Sequence, residues 1–161
     1  MVGQYWGFVE PQDGNAEKAR GFVRAGGRLI LSPADAIYLD IKYDEHTELG
    51  QDWAREATSI ERSYRWEPAE IIDGITEHDI LGVEAPLWTE TIPDLTAIDA
   101  MTFPRIGSAA EAGWSARAGS VPERTWESFR ERLAGLAPAW ERTGIGFTRA
   151  EGVDWPARVS A

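Results

Sequence analysis

There is no cysteine among the 161 residues. Disulfides and thiolate metal sites are therefore excluded. The cellular compartment stays open, because many secreted proteins lack disulfides too. Histidine is nearly as scarce. His46 and His78 are the only two, and neither belongs to a metal-ligand constellation, so both read as surface residues and no metal or cofactor is expected. Basic residues are outnumbered: 16 Lys and Arg face 27 Asp and Glu, a formal charge of −11. That disfavours a nucleic acid or an anionic membrane as partner, since either needs a clustered basic surface. It does not disfavour a neutral ligand. No run of about 18 apolar residues occurs, so no spanning helix is expected. The opening Met1-Val2-Gly3-Gln4-Tyr5-Trp6 lacks the basic and apolar regions of a signal peptide.

Tryptophan, by contrast, is plentiful, with eight residues. Indole rings supply large apolar area with one N–H to satisfy, and most of them in a soluble protein are core residues. The chief functional alternative is a carbohydrate site, because the C–H groups on a pyranose face stack on indole. The hydrophobic fraction, 43%, is that of an ordinary globular chain, and the length suits one domain.

Residues 2–6 form a short apolar run ending at Gly7, which predicts a buried strand. Asp13-Gly14-Asn15 offers a turn and an N-cap. Residues 16–25 read as a helix, closed by Gly26-Gly27. Residues 28–32 hold Leu29, Ile30 and Leu31, a second strand that Pro33 ends. Strand, helix, strand is the unit of parallel sheets. Residues 34–79 read as one long irregular segment, and such a loop in a compact domain is usually functional. Residues 80–87 predict a third buried strand. A helix over 94–112 follows, capped by Thr91 or Asp94, with Pro104 predicting a kink or break. Pro122 opens a last helix over 122–142. Trp126, Phe129, Leu133, Leu136 and Trp140 recur on it at helical spacing and are expected to face the core. From Thr148 the chain is polar and reads as extended.

Several pieces then occur in a specific order. They are Gln4-Tyr5-Trp6; Ser32-Pro33-Ala34-Asp35-Ala36-Ile37-Tyr38-Leu39-Asp40; Leu49-Gly50-Gln51-Asp52-Trp53; and Tyr64-Arg65-Trp66-Glu67-Pro68. Gly82-Val83-Glu84-Ala85-Pro86-Leu87-Trp88-Thr89-Glu90, Phe103-Pro104-Arg105 and Ala110-Glu111-Ala112-Gly113-Trp114-Ser115 complete the set. Together they resemble the C-terminal part of the catalytic barrel of the β-N-acetylhexosaminidases of glycoside hydrolase family 20. The resemblance covers about residues 1–148 and leaves 149–161 as a tail. It implies an α/β fold: strands six to eight of a (β/α)8 TIM barrel, incomplete in this chain. Site residues in such barrels lie at the C-terminal strand ends. Trp6, Tyr38, Asp40, Trp53, Trp88 and Glu90 all fall at or just after predicted strand ends.

The resemblance also implies roles. The family hydrolyses terminal β-linked N-acetylglucosamine or N-acetylgalactosamine by substrate-assisted retaining catalysis. The sugar's own acetamido oxygen attacks the anomeric carbon. Trp6 and Trp53 would cage the acetamido methyl, and Tyr38 would donate its hydroxyl to the acetamido oxygen. Asp40 and Glu90 would accept hydrogen bonds from the 4- and 6-hydroxyls, and Trp88 would stack on the ring. Trp66 and Trp114 match packing positions, and Trp126, Trp140 and Trp155 are assigned to structure.

The general acid of this family lies in an adjacent Asp-Glu pair on an earlier strand. The only such pair here is Asp44-Glu45, which reads as a solvated loop charge. The chain alone is therefore expected to be inactive. A three-strand sector would leave sheet edges unpaired, so the missing N-terminal part of the barrel, or a second copy, is the expected macromolecular partner. Three functions stay open: a fragment of an exo-acting enzyme acting on N-acetylhexosamine-terminated glycans, a non-catalytic carbohydrate-binding α/β module, and an unrelated α/β protein with a Trp-rich core.

Overall fold

The structure, a computed structural model, describes residues 1–158. Three short strands, β1 (Val2–Tyr5), β2 (Arg28–Leu31) and β3 (Ile80–Val83), form one sheet. Their order is β1-β2-β3 and both pairings are parallel. As expected, each is followed by helix: α1 (Asn15–Arg24) after β1, α2 (Ala34–Ile37) and α3 (Ile60–Tyr64) after β2. After β3 come α4 (Leu95–Thr102), α5 (Ile106–Trp114) and α6 (Trp126–Thr143).

The strands are shorter than the apolar runs, β3 most of all. Pro86 has no N–H to give a ladder, and the chain leaves the sheet just after the Glu84 N–H bonds the Leu31 carbonyl at 3.0 Å. The Pro86 carbonyl is used elsewhere: it accepts from the Leu39 N–H at 2.8 Å. The apolar run past Val83 thus becomes a prop for the loop after β2.

The break at Pro104 and a cap at Asp94 are as expected, and three further expectations are corrected. The 94–112 helix is two helices, with Phe103-Pro104-Arg105 between them, because Pro104 cannot donate the helical bond. Its cap is Asp94, whose Oδ1 accepts from the Ala97 N–H. The last helix starts not at Pro122 but at Trp126, where the Thr125 hydroxyl caps the Ser128 N–H. On it Leu136 is 46% exposed, since Ala137 takes the inward position beside Leu133. The first helix is preceded by Gly14 at φ 73°, with no side-chain cap.

The long segment 34–79 is not a bare loop. It folds into α2, α3 and two short 3-10 turns (Pro68–Glu70 and Glu77–Asp79). Its Ile37, Ile60, Tyr64, Trp66, Ile71, Ile72 and Ile75 are buried. The buried Asp35 carboxylate pins it, accepting from the Val9 N–H at 2.8 Å and from Arg62 at 2.7 Å. A core of Tyr5, Leu29, Leu31, Ile37, Trp66 and Ile72 lies against the sheet. A second core joins Tyr43, Tyr64 and Met101 to Trp126, Phe129 and Leu133 of α6.

The tail is not simply extended either. Arg149 pairs with Glu141 at 2.6 Å, Val153 is buried, and Trp155 packs on Phe147. The chain turns back on α6 because apolar Val153 and Trp155 gain cover there. The rest of the expected tail, residues 159–161, lies outside the described residues. Trp114 ends α5 and is 93% exposed, beside Leu136 in a groove between α5 and α6. It was expected to pack, and no element among the described residues covers it.

Leu31 sits fully buried in the central strand. Leu31→Ala should lower unfolding stability by about 2–5 kcal/mol, the cost of a core leucine plus its cavity. Urea unfolding of the two chains checks this.

Candidate functional site

The C-terminal ends of the strands carry a concave site. Tyr38, Asp40, Gln51, Trp53, Trp88 and Glu90 line a cavity of about 230 Å³. Five of the six expected site residues are in that lining. The sixth, Trp6, just after β1, does not line it but packs edge-on against Trp88 with ring centroids 6.2 Å apart. Tyr38 lies 6.2 Å from Trp88 and 5.9 Å from Trp53, the latter edge-to-face. The four rings thus form one connected aromatic wall, Trp6–Trp88–Tyr38–Trp53. The three indoles are 57%, 41% and 53% exposed, in the order Trp6, Trp88, Trp53, whereas Tyr38 is buried. Large exposed aromatics in contact around a concavity mark a binding surface.

The loop after β2 places these groups. Past α2 the backbone reaches Asp40, whose carbonyl accepts from the Gln51 N–H at 2.7 Å, while Lys42 N–H bonds the Gln51 carbonyl at 2.9 Å. This pairing brings Gln51 and Trp53 back beside Tyr38. Gly50 is required at the return. It has φ 98°, and a Cβ there would lie 2.6 Å from the Asp40 carbonyl oxygen and 2.7 Å from Met101. Its N–H bonds the Thr91 hydroxyl at 3.1 Å, tying the loop to the one after β3.

Asp40 is the electrostatic focus. It is 1% exposed. One carboxylate oxygen accepts from the Trp88 N–H at 3.3 Å, and the other, Oδ2, has no partner among the described residues. Burial pushes its carboxyl above the ordinary carboxylate range. The Trp88 N–H and the Arg105 guanidinium pull it down, and Glu90 adds to the rise. Burial also raises the Tyr38 phenol, which keeps it a hydrogen-bond donor at neutral pH. A polar atom with no partner, at the edge of a cavity, is one that a bound hydroxyl can satisfy.

Two contributors were missed in the sequence. Gln51 stands within a quoted motif, but nothing in its spacing marks it as cavity-lining. Arg105 follows Pro104, and its burial could not be read from local pattern. Asp44 and Glu45 behave as loop charges. Asp44 Oδ1 accepts from the His46 N–H and the Thr47 hydroxyl, while Glu45 is exposed beside an exposed His46. No group of three His, Cys, Asp or Glu among the described residues could hold a metal ion.

The sequence profile of the catalytic domain of glycosyl hydrolase family 20 matches residues 4–117. This chain belongs to glycosyl hydrolase family 20. Over 99% of its length it is 38% identical to a β-N-acetylhexosaminidase of Cellulomonas fimi, and it spans 30% of that protein. A solved family 20 β-N-acetylglucosaminidase superimposes on 96% of this family 20 chain with a TM-score of 0.91 and 54% identity, the match covering 33% of that chain. A Streptomyces plicatus β-hexosaminidase mutant, solved with its product GlcNAc, is 44% identical with a TM-score of 0.86, over 96% of this chain and 30% of that one. The chain therefore spans about a third of the length of these relatives. The TIM-barrel architecture of the family agrees with the three parallel strands and their helices.

The site's electrostatics give a pH signature. A raised carboxyl value means that the folded chain keeps a proton the unfolded chain has released. Stability contributed by Asp40 is therefore full below the ordinary aspartate value and is lost as pH rises through the raised one. Asp40→Asn should flatten that fall, and urea midpoints measured from about pH 3 to pH 8 will show whether it does.

Proposed function

We propose that this chain is the sugar-holding sector of an exo-β-N-acetylhexosaminidase, comprising strands six to eight of its (β/α)8 barrel over residues 1–148. The observation that supports it is the cavity at the strand ends, with indole walls, a neutral phenol and a buried carboxylate oxygen awaiting a donor. Such a set suits a neutral pyranose better than a charged ligand. Trp88 offers a face for the ring, and Asp40 and Glu90 accept from the 4- and 6-hydroxyls. Trp53 shields the acetamido methyl, and Trp6 extends that cover through its contact with Trp88. The Streptomyces plicatus relative binds GlcNAc as its product.

In substrate-assisted catalysis the acetamido oxygen attacks the anomeric carbon while a general acid protonates the departing oxygen. Tyr38 donates its O–H to the acetamido oxygen and aligns it for attack. A phenol cannot neutralise the positive charge that develops on the acetamido group, nor are Asp40 and Glu90, on the hydroxyl side of the sugar, able to protonate the leaving group. The acid and its aspartate partner belong to the part of the barrel that residues 1–161 do not supply. That part closes the sheet at its β1 and β3 edges and is the macromolecular partner of this sector.

A positioned general acid typically contributes about 10²–10⁴-fold, so the isolated chain should not release phenolate from an aryl β-N-acetylglucosaminide at an enzymatic rate. Adding a polypeptide with the other five strands should restore turnover, and Tyr38→Phe or Glu90→Gln should then reduce it at least tenfold. Robust turnover by the chain alone, abolished by Glu90→Gln, would reassign the acid to Glu90. Tight N-acetylglucosamine binding by the chain, with no turnover in any mixture, would favour a carbohydrate-binding module.

A further inference from the structure

Behind the cavity lies a cation that the sugar contacts do not use. Arg105 is 0% exposed and has no carboxylate within salt-bridge distance among the described residues. Its guanidinium donates to the carbonyls of Thr58 at 3.0 Å, Leu39 at 2.6 Å and Met101 at 3.4 Å. Its Cζ sits 3.8 Å from the Tyr43 ring centroid, and its Nε has no partner among the described residues. One residue from Leu39, the Asp40 carboxylate is equally buried and equally incomplete, with Oδ2 unbonded. Two opposite charges, each removed from water and each short of a direct partner, thus share one interior region. An isolated buried charge is costly, so each reduces the other's cost.

We propose that Arg105 is a positioning residue for the sugar site: it grips the Leu39 carbonyl, next to Asp40, from behind and supplies a positive charge to the interior region that holds the Asp40 carboxylate. The inference deepens the sugar-site reading and depends on it for its biological meaning. The groups facing Asp40 are few. Tyr38 comes from its own loop, the Trp88 N–H and the Glu90 carboxylate from the loop after β3, Gln51 and Trp53 from the returning strand of the loop, and Arg105 from the α4–α5 junction. Arg105 is the only cation among them. Burial opposes ionisation of Asp40 most and Glu90 adds to it, while the Trp88 N–H and, to a smaller extent, Arg105 favour it. Without that cation, Asp40 would hold its proton to higher pH, and a protonated carboxyl is a weaker acceptor of a sugar hydroxyl than a carboxylate.

The test follows the Asp40 side-chain carboxyl carbon by NMR against pH in the whole chain, assigned with Asp40→Asn. Arg105→Met should move the Asp40 midpoint upward, the direction that loss of an opposite charge dictates. Arg105→Lys keeps the charge and should leave the midpoint close to that of the unmodified chain. If Arg105→Met does not fold, the unmodified chain still decides, because the Arg105 Nε resonance should step at the Asp40 midpoint and lose that step in Asp40→Asn. An Arg105 resonance indifferent to Asp40, an unmoved midpoint in Arg105→Met, or a midpoint in Arg105→Lys shifted as far as in Arg105→Met would each overturn the proposal. None of these readouts needs sugar. A chain in which the two groups titrate together but which binds no N-acetylglucosamine would overturn the sugar reading alone.

Discussion

The constraint on which the rest of the site depends is the burial of one guanidinium. Arg105 gathers carbonyls from three separate stretches of chain, Leu39, Thr58 and Met101. Tyr43 lies under it and sends its own hydroxyl to the carbonyls of Met101 and Phe103, at 3.2 and 3.1 Å. Buried carbonyls need donors. A planar cation with five N–H groups can satisfy several at once, which lysine cannot. The loop after β2 and the break between α4 and α5 are thereby joined at a single point. The loop that carries Tyr38, Asp40 and Trp53 is anchored from behind at the Leu39 carbonyl.

The broken helix makes the junction possible. Pro104 interrupts what would be a continuous run from Leu95 to Trp114, and the interruption turns Arg105 inward at the start of α5. Gly50 plays the matching part on the loop side, since any side chain there would collide with the Asp40 carbonyl and with Met101. One residue without a side chain and one without an N–H allow two segments to approach closely enough to share a cation.

What the sequence discloses and what it hides divide along this line. The alternation of short apolar runs with helical stretches, punctuated by Gly26-Gly27 and Pro33, discloses three parallel strands, but not their burial: β1 and β3 are the sheet's edges, and Val2 and Leu81 on them are exposed. Tyr38, Asp40, Trp53, Trp88 and Glu90 are legible as a group through the resemblance to family 20, whose motifs match them in order, and not through distance from a strand end, since Trp53 lies well beyond β2 and α2. The interior of 34–79 is not legible: its isoleucines lack a period of either helix or strand, and they are buried by tertiary contact with the sheet and with α5. Arg105 is hidden for the same reason. Nothing local distinguishes a fully buried arginine from a solvated one. Where Trp6 stands could be read, but that it meets the cavity only through Trp88 depends on ring packing across two strands. The exposure of Leu136 and Trp114 likewise reflects which neighbours surround α5 and α6, a matter beyond helical spacing.

The parallel arrangement has a consequence for when the site comes into being. Pairing Val2 with Arg28 and Leu29 with Ile80 closes long stretches of chain, and such closures are slow because the entropy is lost before the contacts form. The cavity draws its walls from residues 38–53 and 88–90, so no local hairpin or helix can build it in advance. It exists only after the last crossover has docked. Recognition at this surface therefore reads out the completion of folding, and a chain arrested at any earlier stage would carry every one of these aromatic rings and have nowhere to hold a ligand.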